Sequence, residues 1–232
     1  MTSTRLPGKV LKTVLDRPLL QYMIDRLSAQ SEVGLLIATT TNATDDPIVE
    51  LCQNNQIEFF RGSEHNVLQR YFLAAQKVKA DPVIRVTSDC PLLDVSVILD
   101  CLELYGHSQH YDFVSNCEQR TYPRGYDVEL FSFSQLKQAY ENATELHDQE
   151  HVTPYIMRNT LAARHAHLVL KDKDLSSYRL TVDTPEDFEL IRRILEMVYP
   201  KNSDFTLADV MKVLLEHPDW NELNRHIEQK HE

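Results

Sequence analysis

Apolar positions along the chain follow two alternating periodicities, and together they predict a sheet with helices packed on both faces. Short β-rich runs occur at VGLLIATT (Val33 to Thr40), IEFF (Ile57 to Phe60), PVIRVT (Pro82 to Thr87), DFVS (Asp112 to Ser115), YDVELFSF (Tyr126 to Phe133), AHLVL (Ala166 to Leu170) and YRLTV (Tyr178 to Val182). Between them apolar residues recur three and four apart, as an amphipathic helix requires. The sets are Leu19, Leu20, Met23, Ile24 and Leu27; Val67, Leu68, Tyr71, Phe72 and Ala75; and Val97, Ile98, Cys101, Leu102 and Tyr105. Asp46-Pro47 and Thr184-Pro185 each set a capping residue before a proline at the first helical position, and Asp187 completes a capping-box variant after Thr184. The pattern predicts a three-layer αβα domain over a mostly parallel, Rossmann-like sheet, with a helical tail over 207–232. No Gly/Ser/Pro linker or internal repeat interrupts it, so a single domain over 1–232 is expected.

Composition narrows the class. The chain is 42% hydrophobic and 25% charged, the balance of an ordinary globular protein, and neither a membrane-length apolar run nor a signal-peptide core is present. A cytoplasmic location with no membrane partner is expected. Cys52, Cys90, Cys101 and Cys117 are widely spaced without a C-x-x-C pair, which predicts reduced, mostly buried thiols. Ten histidines show no zinc-binding spacing. A net charge of -11 disfavours nucleic acid as a partner, so an anionic ligand needs a local basic spot. Residues 1–17 supply one: Arg5, Lys9, Lys12 and Arg17 against Asp16 alone give +3.

Within that basic stretch, Ser3-Thr4-Arg5-Leu6-Pro7-Gly8-Lys9 combines small hydroxyls, a Pro-Gly bend and two cations four apart, the parts of a turn that wraps a triphosphate. It lacks the first glycine and the hydroxyl of a Walker motif, and a frayed basic terminus is the alternative. TSDCPLLD (Thr87 to Asp94) puts Asp89 after a strand, where ligands bind in open α/β sheets, with Asp94 as a helix cap. A turn aspartate bonded to backbone amides would look the same. RLTVDTPEDF (Arg179 to Phe188) leaves Asp183 unexplained by the capping box. Two carboxylates at neighbouring strand ends form the hard-oxygen pair that holds Mg²⁺ when phosphates complete its shell. YPRGYDVELF (Tyr122 to Phe131) offers Arg124, Asp127 and Glu129, the two acids sharing one strand face that is either solvated or lines a polyhydroxyl site. DQEHVTPYI (Asp148 to Ile156) offers His151, either a surface residue or a substrate contact.

STRLPGK, DDPIVELC, FRGSEHNVLQRY, RVTSDCPLLD, YPRGYDVELFS, EHVTPYI and RLTVDTPEDFEL, in this order and spacing, resemble the spore-coat-polysaccharide branch of the sugar cytidylyltransferases. The resemblance runs from Met1 to about Tyr199, and that branch is similar to acylneuraminate and 3-deoxy-manno-octulosonate cytidylyltransferases. It implies a glycosyltransferase-A-like αβα fold and attack of an acidic sugar's hydroxyl on the α-phosphate of CTP, in polysaccharide biosynthesis, with a homodimer as the assembly. It further implies that Arg5 and Lys9 neutralise the triphosphate beside Ser3 and Thr4, and that Asp89 and Asp183 hold Mg²⁺. Arg61, Ser63 and Thr87 would border base and ribose; Arg124, Asp127, Glu129 and His151 would face the sugar. The family's leading apolar strand, central in the sheet and ending Gln-Ala-Arg, has no counterpart ahead of this turn. A late-assigned start codon would account for that, and the expectation is a weakened fold, poorly anchored Arg5 and Lys9, and weak activity. A nucleotide-sugar-dependent glycosyltransferase or a non-catalytic binding domain are the rival readings.

Overall fold

The computed structural model describes residues 3–107 and 111–228. After a 3₁₀ turn at Lys9–Leu11 the chain forms a hairpin of β1 (Thr13–Val14) and β2 (Arg17–Pro18), then α1 (Leu19–Ser28), β3 (Leu36–Thr40), α2 (Asp46–Asn54) and β4 (Glu58–Gly62). There follow α3 (Val67–Val78), β5 (Val83–Arg85), α4 (Val95–His107), β6 (Phe113–Ser115), β7 (Glu129–Phe131) and α5 (Phe133–Asn142). The rest comprises α6 (Leu146–His151), α7 (Pro154–Asn159), β8 (His165–His167), α8 (Pro185–Val198) and α9 (Leu207–Glu216).

The layers follow from side-chain alternation in the central strands. In β6 and β7, Val114 and Leu130 face a core built with α1, α4, α8 and α9, while Phe113 and Phe131 face a second core built with α3, α5 and α7. Both strands are buried on both faces, Ser115 and Glu129 included. A third cluster packs Leu20 and Ile24 of α1 against Ile48 and Cys52 of α2, with Ile37 and Phe59 beneath. Cys52, Cys90 and Cys101 are buried and all four thiols are free. Among the described residues no helix is long and apolar enough to cross a membrane.

The α/β architecture matches the sequence pattern, but the sheet is mixed rather than mostly parallel. β3 and β4 are parallel, as are β6 and β8, whereas β7 runs antiparallel to both β5 and β6. The cause lies between β6 and β7, where no helix intervenes; without a crossover the returning strand must reverse direction. YRLTV is not a strand. Its backbone divides its bonds between two partners, with Leu180 N–H donating to Arg124 O (2.7 Å) and Val182 N–H to Asp89 O (2.9 Å), leaving one isolated bridge between Arg124 and Arg179. The residue before α2 is Asp45, not Asp46, and its carboxylate turns back to accept from both Thr39 and Thr40. Thr184 and Asp187 do form the expected capping box on α8. The tail helix stops at Glu216 ahead of Pro218, a 3₁₀ turn follows at Pro218–Glu222, and 229–232 of the expected tail lie outside the described residues.

The middle of the sheet is open. Among the described strands β3 bonds only to β4, and of the sheet β5-β7-β6-β8 the end strand β5 bonds only to β7. A cleft of about 570 Å³ lies between their facing edges, lined by Leu20 and Met23 of α1, Leu36 of β3, Ile84 of β5, and Val86 and Ser88 beyond it.

Candidate active site

Lys9 is the centre of the site. Gly8, in the left-handed region at φ 67°, turns the chain so that Lys9 opens the 3₁₀ turn, and Leu6, buried in the main core, pins the segment before it. The Lys9 Nζ donates to Asp89 Oδ2 at 2.6 Å and to Asp183 Oδ1 at 2.7 Å. These partners lie 80 and 174 residues away in sequence. Arg5 approaches Asp183 Oδ2 at 3.1 Å, and Arg179 donates to the same oxygen at 2.7 Å. The expectation that Arg5 and Lys9 are poorly anchored is therefore corrected. Both are held by carboxylates, and the turn is further fixed by the buried Leu6 and the 3₁₀ turn at Lys9–Leu11.

The two carboxylates are brought together by backbone. Asp89 O accepts from both Val182 N–H (2.9 Å) and the Thr181 hydroxyl (3.3 Å), so the turn after β5 and the segment before α8 are tied at the point where their acids emerge. Asp187 fixes the other side. Its buried carboxylate accepts from the backbone N–H of Asp183 (3.0 Å) and Thr184 (3.1 Å), from Arg179 Nε (2.9 Å) and from Asn224 Nδ2 (2.8 Å). One side chain thus caps α8, aims Asp183 and orients the arginine that contacts it. The capping box is legible in the sequence, but the roles of Arg179 and Asn224 have no local signal.

Asp89 and Asp183 suit a small divalent cation by their chemistry. Two hard oxygen donors converge on one positively charged nitrogen, and these two carboxylates are the groups that could hold such an ion. Among the described residues no group of three or more acids, histidines or cysteines forms a metal cluster, so further ligands would come from phosphate or water.

Electrostatics favour the charged forms of Asp183 and Lys9. Burial alone would raise the Asp183 pKa, but Lys9, Arg5 and Arg179 outweigh it and hold the group below its usual 3.8. Burial alone would lower Lys9, but Asp89 and Asp183 hold it above its usual 10.5. A depressed carboxylate contributes stability that is present above its unfolded pKa and lost as pH falls through the folded value. A raised lysine contributes stability present below its unfolded pKa and lost as pH rises through the higher folded value. The stability difference between wild type and Lys9→Met, measured by urea unfolding, is therefore expected to be level from about pH 5 to 9 and to shrink below about pH 4. A slope through neutrality would contradict this assignment.

The remaining sequence candidates make contacts outside this cluster. Ser3 Oγ accepts from Leu6 N–H at 3.4 Å, and Thr4 is exposed on the same turn. Thr87 lies against the Cys90 thiol at 3.2 Å. Arg61 donates to Thr40 O (2.8 Å) and Asn42 O (2.7 Å) and pairs with Asp46, bracing the loop after β3, while Ser63 Oγ accepts from Asn66 N–H at 3.1 Å at the start of α3. On the other side Asp127 pairs with Arg120. Glu129, which sequence alternation left as either solvated or sugar-facing, is buried, paired with Arg85 and accepting from the Thr153 hydroxyl at 2.7 Å. His151 ends α6 with its ring 4.7 Å from that of His147, so the EHVTP segment reaches Glu129 through Thr153 rather than through the histidine. Between them Val152 is forced to φ 74°, a strained setting for a β-branched residue. Arg124 borders a separate polar hollow of about 370 Å³ with Tyr178, Asn221 and Arg225.

In this α/β fold three cations, Arg5, Lys9 and Arg179, converge on two acids carried by the turn after β5 and by the segment before α8. The chain belongs to the cytidylyltransferase family, whose sequence profile matches residues 1–214. It is 30% identical over 227 residues to the spore coat polysaccharide biosynthesis protein SpsF of Bacillus subtilis, covering 94% of this chain and 92% of that protein. A solved cytidylyltransferase from Leptospira borgpetersenii superposes with a TM-score of 0.89 at 31% identity, over 100% of this chain and 95% of that one. The fold is also that of a CMP:2-keto-3-deoxy-manno-octonic acid synthetase solved with CTP, at a TM-score of 0.62 and 15% identity over 84% of this chain and 94% of that one.

Proposed function

We propose that the protein transfers CMP from CTP to a hydroxyl of an acidic, nonulosonic-type sugar, releasing pyrophosphate, and supplies the activated sugar to cell-surface or spore-coat polysaccharide synthesis in the cytoplasm. The observation that carries this reading is the convergence of Arg5, Lys9 and Arg179 on Asp89 and Asp183. Membership of the family and the CTP complex of a protein of the same fold support it. In the reaction a sugar oxygen bonds to the α-phosphorus, the bond from that phosphorus to the bridging oxygen breaks, and pyrophosphate leaves with the electron pair. No side-chain nucleophile is needed, so the protein's task is positioning and charge neutralisation.

Arg5 and Lys9 would bind the triphosphate oxygens, with Ser3 and Thr4 on the same turn. Asp89 and Asp183 would hold Mg²⁺, which when bound supplies positive charge to the phosphates. Arg61 and Ser63 would shape the base-and-ribose side through the loops they brace, with Thr87 at the strand end. Arg124, Asp127 and His151 would face the acidic sugar, and Glu129 would act there by orienting Arg85 and Thr153. A homodimer is part of the proposal, checked by sedimentation.

The test supplies purified protein with CTP, Mg²⁺ and a panel of nonulosonic and 3-deoxy-manno-octulosonic acids. Pyrophosphate release that requires both CTP and one of the sugars is expected. Release of nucleotide from a CMP-sugar only when an acceptor is added would point instead to a glycosyltransferase. Absence of both turnover and CTP-dependent thermal stabilisation would overturn the reading.

A further inference from the structure

We propose that Lys9 is the resident counter-ion of the carboxylate pair, and that a divalent cation enters between Asp89 and Asp183 only when a nucleotide's phosphates draw the ammonium away. The inference rests on the assignment of that pair as the cation site. Its basis is positional: one nitrogen lies 2.6 Å from one acid and 2.7 Å from the other, so it fills the point on which both converge. The side chains of Lys9, Asp89 and Asp183 are only 16%, 22% and 17% exposed, so the ammonium takes up the carboxylate oxygens that face it with little help from solvent.

Charge balance gives the same answer. Arg5, Lys9 and Arg179 face Asp89, Asp183 and Asp187, three cations against three acids, so by formal charge these side chains balance one another. Adding a naked divalent cation would leave two uncompensated positive charges in a half-buried cluster. A triphosphate brings the missing negative charge and offers Lys9 new acceptors. Lys9 is suited to move: its charge sits at the end of a flexible four-carbon stem, whereas the backbone below it is set by Gly8 and the 3₁₀ turn. Arg179, clamped by both oxygens of Asp187, is not. Metal and nucleotide are thereby coupled, each raising the affinity for the other by the same factor.

The experiment measures binding rather than turnover, with Mn²⁺ as the probe. Free Mn²⁺ is followed by its paramagnetic resonance signal, and protein-held Mn²⁺ by water-proton relaxation. Lys9→Met without nucleotide is expected to bind Mn²⁺ at least tenfold more tightly than wild type, and Lys9→Met combined with Asp89→Asn is expected to lose that gain. Lys9→Arg, which keeps a cation, is expected to stay closed to the metal. Wild type, which needs no variant to fold, is expected to show relaxation enhancement with Mn²⁺ and CTP together and none with Mn²⁺ alone at the same concentration. If wild type with CTP shows Asp89-dependent enhancement but Lys9→Met gains nothing alone, the counter-ion role is overturned and the cation-site assignment stands. If Asp89→Asn changes no condition, the cation-site assignment itself fails, and the counter-ion role with it.

Discussion

Asparagine at position 89 is expected to lower kcat for CTP-dependent pyrophosphate release by about 10²–10³-fold, while moving the thermal midpoint by only about 2–4 °C. The substitution keeps the shape of the side chain and leaves an amide oxygen to accept from Lys9, so only the charge is removed. The backbone carbonyl that ties Asp89 to Thr181 and Val182 is untouched. Catalysis and folding are therefore separable at this position. The same change at Asp187 would not separate them, because that buried carboxylate also holds a helix cap and the backbone of Asp183. Parallel steady-state kinetics and thermal melts on Asp89→Asn check the expectation, and activity within tenfold of wild type would remove Asp89 from the reacting site.

The largest expected effect on stability comes from a methyl group. Gly125 sits at φ 98°, and a Cβ there would lie 2.3 Å from Leu180 O, 2.5 Å from Leu180 C and 2.8 Å from Thr181 N. All three are backbone atoms, so no side chain can swing aside to relieve the contact. The close approach is the one that lets Arg124 bond to Tyr178 and Leu180, and it places the segment leading to Asp183. Gly125→Ala is expected to destabilise the protein by about 3–5 kcal/mol, or roughly 10 °C, and to abolish stabilisation by CTP. Gly34→Ala is the control: nothing lies within 4 Å of its added carbon, and a change under about 0.5 kcal/mol is expected. Equal melting of the two variants would contradict the packing described for Gly125.

What could be read from the sequence was whatever is written locally. The capping box of Thr184 and Asp187 and the apolar stripes of α1, α3 and α4 are patterns within a few turns of chain, and each appears as expected. Asp89 and Asp183 were legible as acids at the ends of apolar runs. Lys9 was legible only as a cation in a basic turn; that it bridges those two acids depends on contacts across 80 and 174 residues, which no local period encodes. YRLTV shows the limit from the other direction. Alternation records which side chains are buried, not which backbone groups are paired, and this segment has the first property with only a single bridge of the second. Glu129 was ambiguous for a similar reason. An acid on a strand face looks the same whether it meets water, a sugar or, as here, the guanidinium of Arg85 from a neighbouring strand.

The opening between β3 and β5 has a mechanical consequence for the site. Ser88, next to Asp89, forms part of one wall; Leu20, whose helix packs on Val10 and Leu11 of the turn carrying Lys9, forms part of the other. The Lys9 turn, packed on α1, and the turn carrying Asp89, which follows β5, thus flank this opening, and among the described strands no hydrogen-bonded ladder joins β3 to β5. A row of peptide bonds is a stiff spring, while helices wedged by leucines are a soft one. Lys9's turn is held against Asp89 by side-chain packing and by the ammonium's own bonds rather than by a ladder, a softer linkage than a row of peptide bonds.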